Sequence, residues 1–282
     1  MLNKEKIKEM KIFATQIRIE TVRSMGTLGF GHLGGALSIA DTIAVLYGGT
    51  MKIDPKNPQW EERDWLVSSK GHAGPAIYAA LALKGYFPVE ELLTLNKPGT
   101  HFPSHCDRNL TTGIDMTTGS LGQGASTSIG VALGHKYAGK DNWTYLIVGD
   151  GECQEGQVWE AVSFAGARKV DNLIAFVDNN KQQLDGFTAD IHEMFDFKAK
   201  FESFGWHAVD VKGNDVAQIH EAIEAAKLTV GRPSVIILDT VKGEGVSFVA
   251  GKEKNHHVTI SQTEMAEALA ELQVKLNQEV EA

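Results

Sequence analysis

The sequence predicts an α/β fold, a parallel sheet flanked by helices on both faces. Three observations carry this. Short, mainly apolar runs alternate with amphipathic segments through the second half of the chain. The strings Gly149-Asp150-Gly151 and Asp178-Asn179-Asn180-Lys181 follow two of those runs at their carboxyl ends. The bulk composition is that of a globular protein, with 282 residues, 43% hydrophobic and 22% charged. That length buries a real core.

Residues 4–26 predict an amphipathic helix. Ile7, Met10, Ala14, Ile17 and Thr21 recur at threes and fours, and Asn3 suits its N-cap. Gly26 and the glycine-bearing run 29–35 end it. A second helix is expected from near Ser38 to Gly48-Gly49, followed by the loop Asp54-Pro55-Lys56-Asn57-Pro58. Residues 73–84 and 122–138 are rich in Ala and Gly, which suits helices lying close on other backbone. Buried strands are expected at 143–148, 173–177, 207–211 and 234–239. Helices at 157–168, 193–204 and 215–229 separate them, so right-handed βαβ units follow. Residues 241–260 read as loop and 261–282 as an acidic helix. There is no repeat, low-complexity tract or linker, so 1–282 reads as one domain.

Net charge is −9, from 27 basic and 36 acidic residues, and no Lys/Arg cluster marks a nucleic-acid binder. Phosphates would need local donors such as His, Lys or helix N-termini. The two cysteines, Cys106 and Cys153, form no disulfide framework. The start, Met1-Leu2-Asn3-Lys4-Glu5-Lys6, has no apolar leader core, and no apolar run reaches the length of a membrane span. A soluble cytoplasmic protein is expected, with no membrane or nucleic-acid partner.

The chemistry concentrates in 149–181. The first expected strand runs into Gly149-Asp150-Gly151, and the next into Asp178-Asn179-Asn180-Lys181. Ligands of open parallel sheets bind at such strand ends. The glycines let backbone approach a ligand, and the next helix, from about Gln157, points its free N–H groups there. One carboxylate, one amide oxygen and a backbone carbonyl suit a hard octahedral cation completed by phosphate and water. Alone, each string is more often a turn. Together, thirty residues apart (180 − 150) at consecutive strand ends, they predict a metal shared with a diphosphate.

That spacing resembles the thiamine diphosphate fingerprint. The fuller string Gly149-Asp150-Gly151-Glu152-Cys153-Gln154-Glu155-Gly156, with Leu184-Asp185-Gly186 further on, is similar to transketolase. The resemblance implies the family's diphosphate-domain fold. It implies Mg²⁺ (or Ca²⁺ or Mn²⁺) on Asp150, Asn180 and the Gln182 carbonyl. It also implies a cofactor site that includes Gly149, Gly151, Glu152 and Leu184, with the Gly151 N–H on the diphosphate. Thr117-Thr118-Gly119-Ser120-Leu121-Gly122 is a further matching string, and Gly119, Ser120 and Leu121 fall on the wall beside the cofactor's aminopyrimidine.

Three histidines sit in loops instead of on helix faces: Gly31-His32, Gly71-His72 and Ser104-His105. Singly, each suits a surface or capping role. Their strings resemble the family's three histidine loops, which implies that His32 and His105 line the substrate channel and His72 contacts the diphosphate or donor. Histidine suits proton shuttling near neutral pH. Phe30 stands where the family usually has a small polar residue, and Leu33 where it usually has Pro. The string Lys242-Gly243-Glu244-Gly245-Val246-Ser247-Phe248 precedes a late histidine that an ungapped count places at His256, with His257 as the alternative. Glu155 and Glu160 read either as helix N-terminal charges or, by resemblance, as a proton relay between two cofactor sites.

The match covers only the diphosphate-binding part of the family. It implies that the pyrimidine-binding domain, with its glutamate and phosphate-holding arginines, comes from a partner chain in a dimer of heterodimers. The implied activity is transfer of a two-carbon ketol unit from a ketose phosphate to an aldose phosphate, as in the pentose phosphate pathway. Two alternatives stand beside it. One is a related thiamine diphosphate enzyme with another substrate, the other a cofactor-binding subunit without activity.

Overall fold

A computed structural model describes residues 3–282; Met1 and Leu2, the start of the charged N-terminal run, lie outside the described residues. Ten helices are used here: α1 (Lys4–Leu28), α2 (Leu33–Ser38), α3 (Ala40–Val45), α4 (Gly74–Leu83), α5 (Gln123–Tyr137), α6 (Gly156–Ala167), α7 (Thr188–Ile191), α8 (Phe197–Ser203), α9 (Val216–Lys227) and α10 (Gln262–Glu281). The strands are β1 (Phe30–Gly31), β2 (Trp65–Ser68), β3 (Thr144–Gly149), β4 (Leu173–Asn179), β5 (Gln182–Gln183), β6 (Gly186–Phe187), β7 (His207–Lys212), β8 (Ser234–Asp239) and β9 (Val258–Thr259).

The five-stranded sheet runs β2-β3-β4-β8-β7, with every neighbouring pair parallel. Its central strands are apolar on both faces because helices cover both. On β4, Ile174 and Phe176 join the core under α1 to α4 and α9, while Leu173, Ala175 and Val177 join the core under α5, α6 and α8. The same alternation runs through β3 and β8. That two-sided burial is why these strands read as unbroken apolar runs.

Four expectations needed correction. The strand Trp65–Ser68 escaped prediction because it is a four-residue edge strand behind the charged stretch Glu61-Glu62-Arg63-Asp64. Helix α1 passes Gly26 and ends at Leu28, where Gly29 (φ 91°) closes it by donating to the Met25 carbonyl at 2.8 Å. The expected helix from Ser38 begins earlier, at Leu33, breaks at Ile39 and unwinds through a π-turn at Leu46–Thr50. Its glycines are helical because the turn lies against the late loop: a Cβ on Gly34 would stand 2.4 Å from the Asn255 carbonyl oxygen. Finally, 193–204 is not one helix; α7 and α8 flank Phe195, which sits at φ 53°.

The other segments match within a few residues. Asn3 caps α1 through the Lys6 N–H at 2.8 Å, Asp215 caps α9, and Ser261 with Glu264 forms a capping box on α10. No helix among the described residues is long and apolar enough to cross a membrane.

Helix α6 is held down on the chain leading into β7. A Cβ on Gly166 would lie 1.9 Å from the Phe204 carbonyl oxygen, and the nearby Trp206 indole donates to the Val162 carbonyl at 2.9 Å. Gly166→Ala should therefore destabilise the fold by ~1–3 kcal/mol, the usual cost of overpacking. A urea unfolding midpoint equal to that of the parent chain would contradict this close contact.

Candidate functional site

The carboxyl ends of β2, β3, β4 and β8 open on one cleft of about 390 Å³. Every residue the sequence assigned to catalysis, cofactor or metal lines it except Ser120, which is exposed beside Gly119 and Leu121, and the relay candidate Glu160. A roomier recess of about 580 Å³, lined by Lys52, Trp60, Glu61 and Lys140, lies at the opposite ends of β2 and β3. It holds none of these groups. Ligands of parallel sheets belong at the carboxyl ends.

Asp178 is the hub under the cleft. It is fully buried at the end of β4 and pairs with the Lys70 ammonium. It also accepts from Ser38 Oγ at 2.6 Å, Thr240 Oγ1 at 2.5 Å and Asn180 Nδ2 at 2.9 Å. Burial alone would raise its pKa, but the Lys70 charge and these donors hold it below the usual carboxylate range.

Asp150 has the opposite fate. Burial, then the neighbouring Asp178 charge, pushes it up to about 7. It still accepts from the N–H groups of Gly151 at 2.8 Å and Lys181 at 2.6 Å. The second bond ties the end of β3 to the end of β4. The Asn180 amide nitrogen is fixed on Asp178, while its oxygen accepts from the Gln182 N–H at 3.1 Å. The Gln182 carbonyl accepts from the Lys242 ammonium at 3.2 Å, so a positive charge rests on it. A buried carboxylate with a raised pKa, an oriented amide and a carbonyl already under a cation form a donor set that fits a small hard metal ion. Among the described residues no three His, Cys, Asp or Glu side chains cluster as metal ligands. This set is of a different kind, with one carboxylate only.

Glu152 has a structural part. Its carboxylate, 2% exposed, accepts from the Ser69 hydroxyl, from the Gly122 N–H at 2.8 Å and from the Gly149 N–H at 3.0 Å. It therefore fastens the second histidine loop and the Gly119–Leu121 wall to the end of β3. The Gly151 N–H is turned onto Asp150. Glu155 lies at the N-terminus of α6 and lines the cleft, whereas Glu160 is exposed outside it.

Four loops bring the histidines together. The His32 ring lies 5.2 Å from His72, 5.5 Å from His105 and 5.3 Å from His256. His256, and not His257, lines the cleft, with its ring 4.9 Å from His72. Burial, reinforced by neighbouring cationic groups, lowers His32 to about 4 and His256 to about 3. His72 is pushed well down by burial and Lys70, and His105 down by burial. The rings are neutral at pH 7, so each offers one donor and one acceptor.

Sequence reasoning passed over Lys70, Asp178 and Lys242. The two lysines lie inside strings already singled out, Ser69-Lys70-Gly71-His72 and Lys242-Gly243. The signal was there: phosphate binding by a chain of net charge −9 would need local cations. Lys242, lowered to about 8 by burial and by Lys70, also touches His256 Nδ1 at 3.1 Å.

A sheet whose carboxyl edge carries this donor set and histidine cluster belongs to the diphosphate-binding class. A family model described as the thiamine diphosphate-binding domain of transketolase matches residues 9–281, and the chain belongs to that family. It is 53% identical over 260 residues to the 6-deoxy-6-sulfo-D-fructose transketolase subunit SqwG of Clostridium sp. (strain MSTE9), covering 92% of this chain and 94% of that one. It is 36% identical over 264 residues to one of the subunits of the apulose-4-phosphate transketolase of Actinobacillus succinogenes, covering 94% and 95%. The transketolase structure from Leishmania mexicana superposes with a TM-score of 0.87 at 28% identity, over 96% of this chain and 45% of that one. The chain thus spans nearly all of the two bacterial relatives and less than half of that transketolase.

Two measurements probe the site. Lys70→Met strands a buried carboxylate and should cost ~3–5 kcal/mol, read from urea unfolding; a loss below about 1 kcal/mol would mean that Asp178 does not depend on Lys70. The histidine shifts have a definite sign. An unfolded His32 takes up its proton near 6.5 and a folded one near 4. Its contribution to stability is complete above 6.5 and lost as pH falls from 6.5 towards 4. Ring-proton NMR should find His32 still neutral at pH 5; a midpoint near 6.5 would show that burial does not shift it.

Proposed function

We propose that this chain is the diphosphate-binding subunit of a transketolase that moves a two-carbon ketol unit from a ketose to an aldose. One observation carries the reading. The cleft sets a carboxylate–amide–carbonyl group beside two buried lysines, next to four neutral histidines. Asp150, Asn180 and the Gln182 carbonyl hold Mg²⁺, for which Ca²⁺ or Mn²⁺ substitutes. Lys70 and Lys242 supply the positive charge a diphosphate needs in a chain of net charge −9. Gly119 and Leu121 wall the ring end. Thiamine diphosphate, when bound, supplies the nucleophilic carbon that takes up the two-carbon unit. His32, His72, His105 and His256 orient the sugar hydroxyls and move protons at them. The pyrimidine-binding half comes from a partner chain, giving a dimer of heterodimers.

The donor of the first reading is a ketose phosphate. Comparison favours a second: identity is 53% to a subunit named for a sulfonated ketose and 36% to one named for a phosphorylated one. The second reading makes 6-deoxy-6-sulfo-D-fructose the donor.

Assay of this chain with its pyrimidine-domain partner, Mg²⁺ and thiamine diphosphate decides between them. Ketol transfer is expected, with kcat/KM at least about tenfold higher for the sulfonated ketose than for fructose 6-phosphate if the second reading holds. The reverse order would restore the phosphate donor. Asp150→Ala should abolish metal-dependent cofactor binding. Full cofactor binding with no transfer from any ketose would sink the transketolase reading.

A further inference from the structure

The cleft continues past its histidine cluster. A recess of about 80 Å³ adjoins it and shares His32 and His72 with it. Phe30 and His257 line this recess and do not line the cleft. Phe30 is 40% exposed, with its ring centroid 5.7 Å from that of His257. The His257 ring in turn stands edge-on to His32, 4.9 Å away at 82°. The antiparallel β1–β9 pair, with Phe30 opposite Thr259 and Gly31 opposite Val258, holds the two segments in register. His257 also lines a second, wider recess of about 350 Å³ with Glu253 and Lys254. It therefore stands where two outward paths meet.

These rings form a line from solvent to the histidine cluster, away from the end that holds Asp150 and Asn180. An aromatic face beside an imidazole matches a polyol chain: C–H groups lie on the ring, and a hydroxyl meets the nitrogen. Neither ring reaches the cleft itself, so neither serves the diphosphate. Their exposed edges have no assigned work in the fold.

We propose that Phe30 and His257 form a specificity-determining rim that reads the part of the sugar beyond the reacting carbons. The proposal rests on the ketol-transfer reading above. The rim favours long aldoses over short ones by contacts that a two-carbon acceptor cannot make.

The test uses the complete two-chain complex and two acceptors, ribose 5-phosphate and glycolaldehyde. Transfer by the unmodified complex tests the ketol-transfer reading, and the ratio between acceptors in the variants tests the rim. Phe30→Ser and His257→Ala should each lower the ribose 5-phosphate to glycolaldehyde ratio of kcat/KM about tenfold, through KM, with cofactor Kd within about twofold. Phe30→Tyr and His257→Gln should keep most of the ratio, since each preserves the face or the hydrogen bond. An unchanged ratio in both truncations would overturn the proposal. So would equal loss for both acceptors with a weakened cofactor Kd, which would mark a merely structural role.

Discussion

The site depends on the burial of one charge. Asp178 lies at the centre of the sheet's carboxyl edge with no access to water. A carboxylate there persists only if it is fully paired and hydrogen-bonded. Lys70 follows β2, Ser38 ends α2, Thr240 follows β8 and Asn180 follows β4, and all four converge on it. The demand of a single buried group thus gathers three distant segments, at Ser38, Lys70 and Thr240, onto the end of β4. The first two histidine loops flank those segments and are placed by the same requirement.

The second carboxylate, Asp150, gains from that arrangement only indirectly. Asp178 and its donors are nearly self-sufficient, so Asp150 is left beside a like charge with two backbone N–H groups and a raised pKa. A cation bound beside Asp150 would favour its ionised form. The local lysines serve the same electrostatic logic. The chain as a whole is acidic, yet Lys70 and Lys242 project into the cleft, and their charges help keep the neighbouring histidines neutral. Neutral rings suit work on hydroxyl groups, where donor and acceptor are both needed.

The late loop shows how little regular structure is needed to place such groups. Asn255 is fully buried and donates to the Gln182 side chain at 2.9 Å and the Val249 carbonyl at 3.0 Å, while its own carbonyl accepts from the Gly34 N–H at 3.2 Å. These bonds seat His256 against His72, with His257 beside it in the small recess. Of these adjacent histidines only His256 lines the cleft, while His257 lines the small recess beside it.

Sequence alone determined the strands at the centre of the sheet, because two-sided burial writes itself as continuous apolar runs. It also located the glycine-bearing strand ends and the histidine loops, since close approach of backbone to a ligand restricts residue choice within each string. Edge strand Trp65–Ser68 and the break at Ile39 were illegible, being too short or too dependent on a distant neighbour. The ungapped count pointed to His256, and contacts of the late loop with Gly34 and Gln182 are what seat that ring, and not His257, in the cleft. Tertiary structure alone decided that Asp178, singled out only within its ligand-bearing string, is the buried hub. It likewise decided that Glu152 fastens loops and that Lys70 and Lys242 enter the cleft. A charge's role is set by what surrounds it in space, and those surroundings come from segments tens to hundreds of residues away.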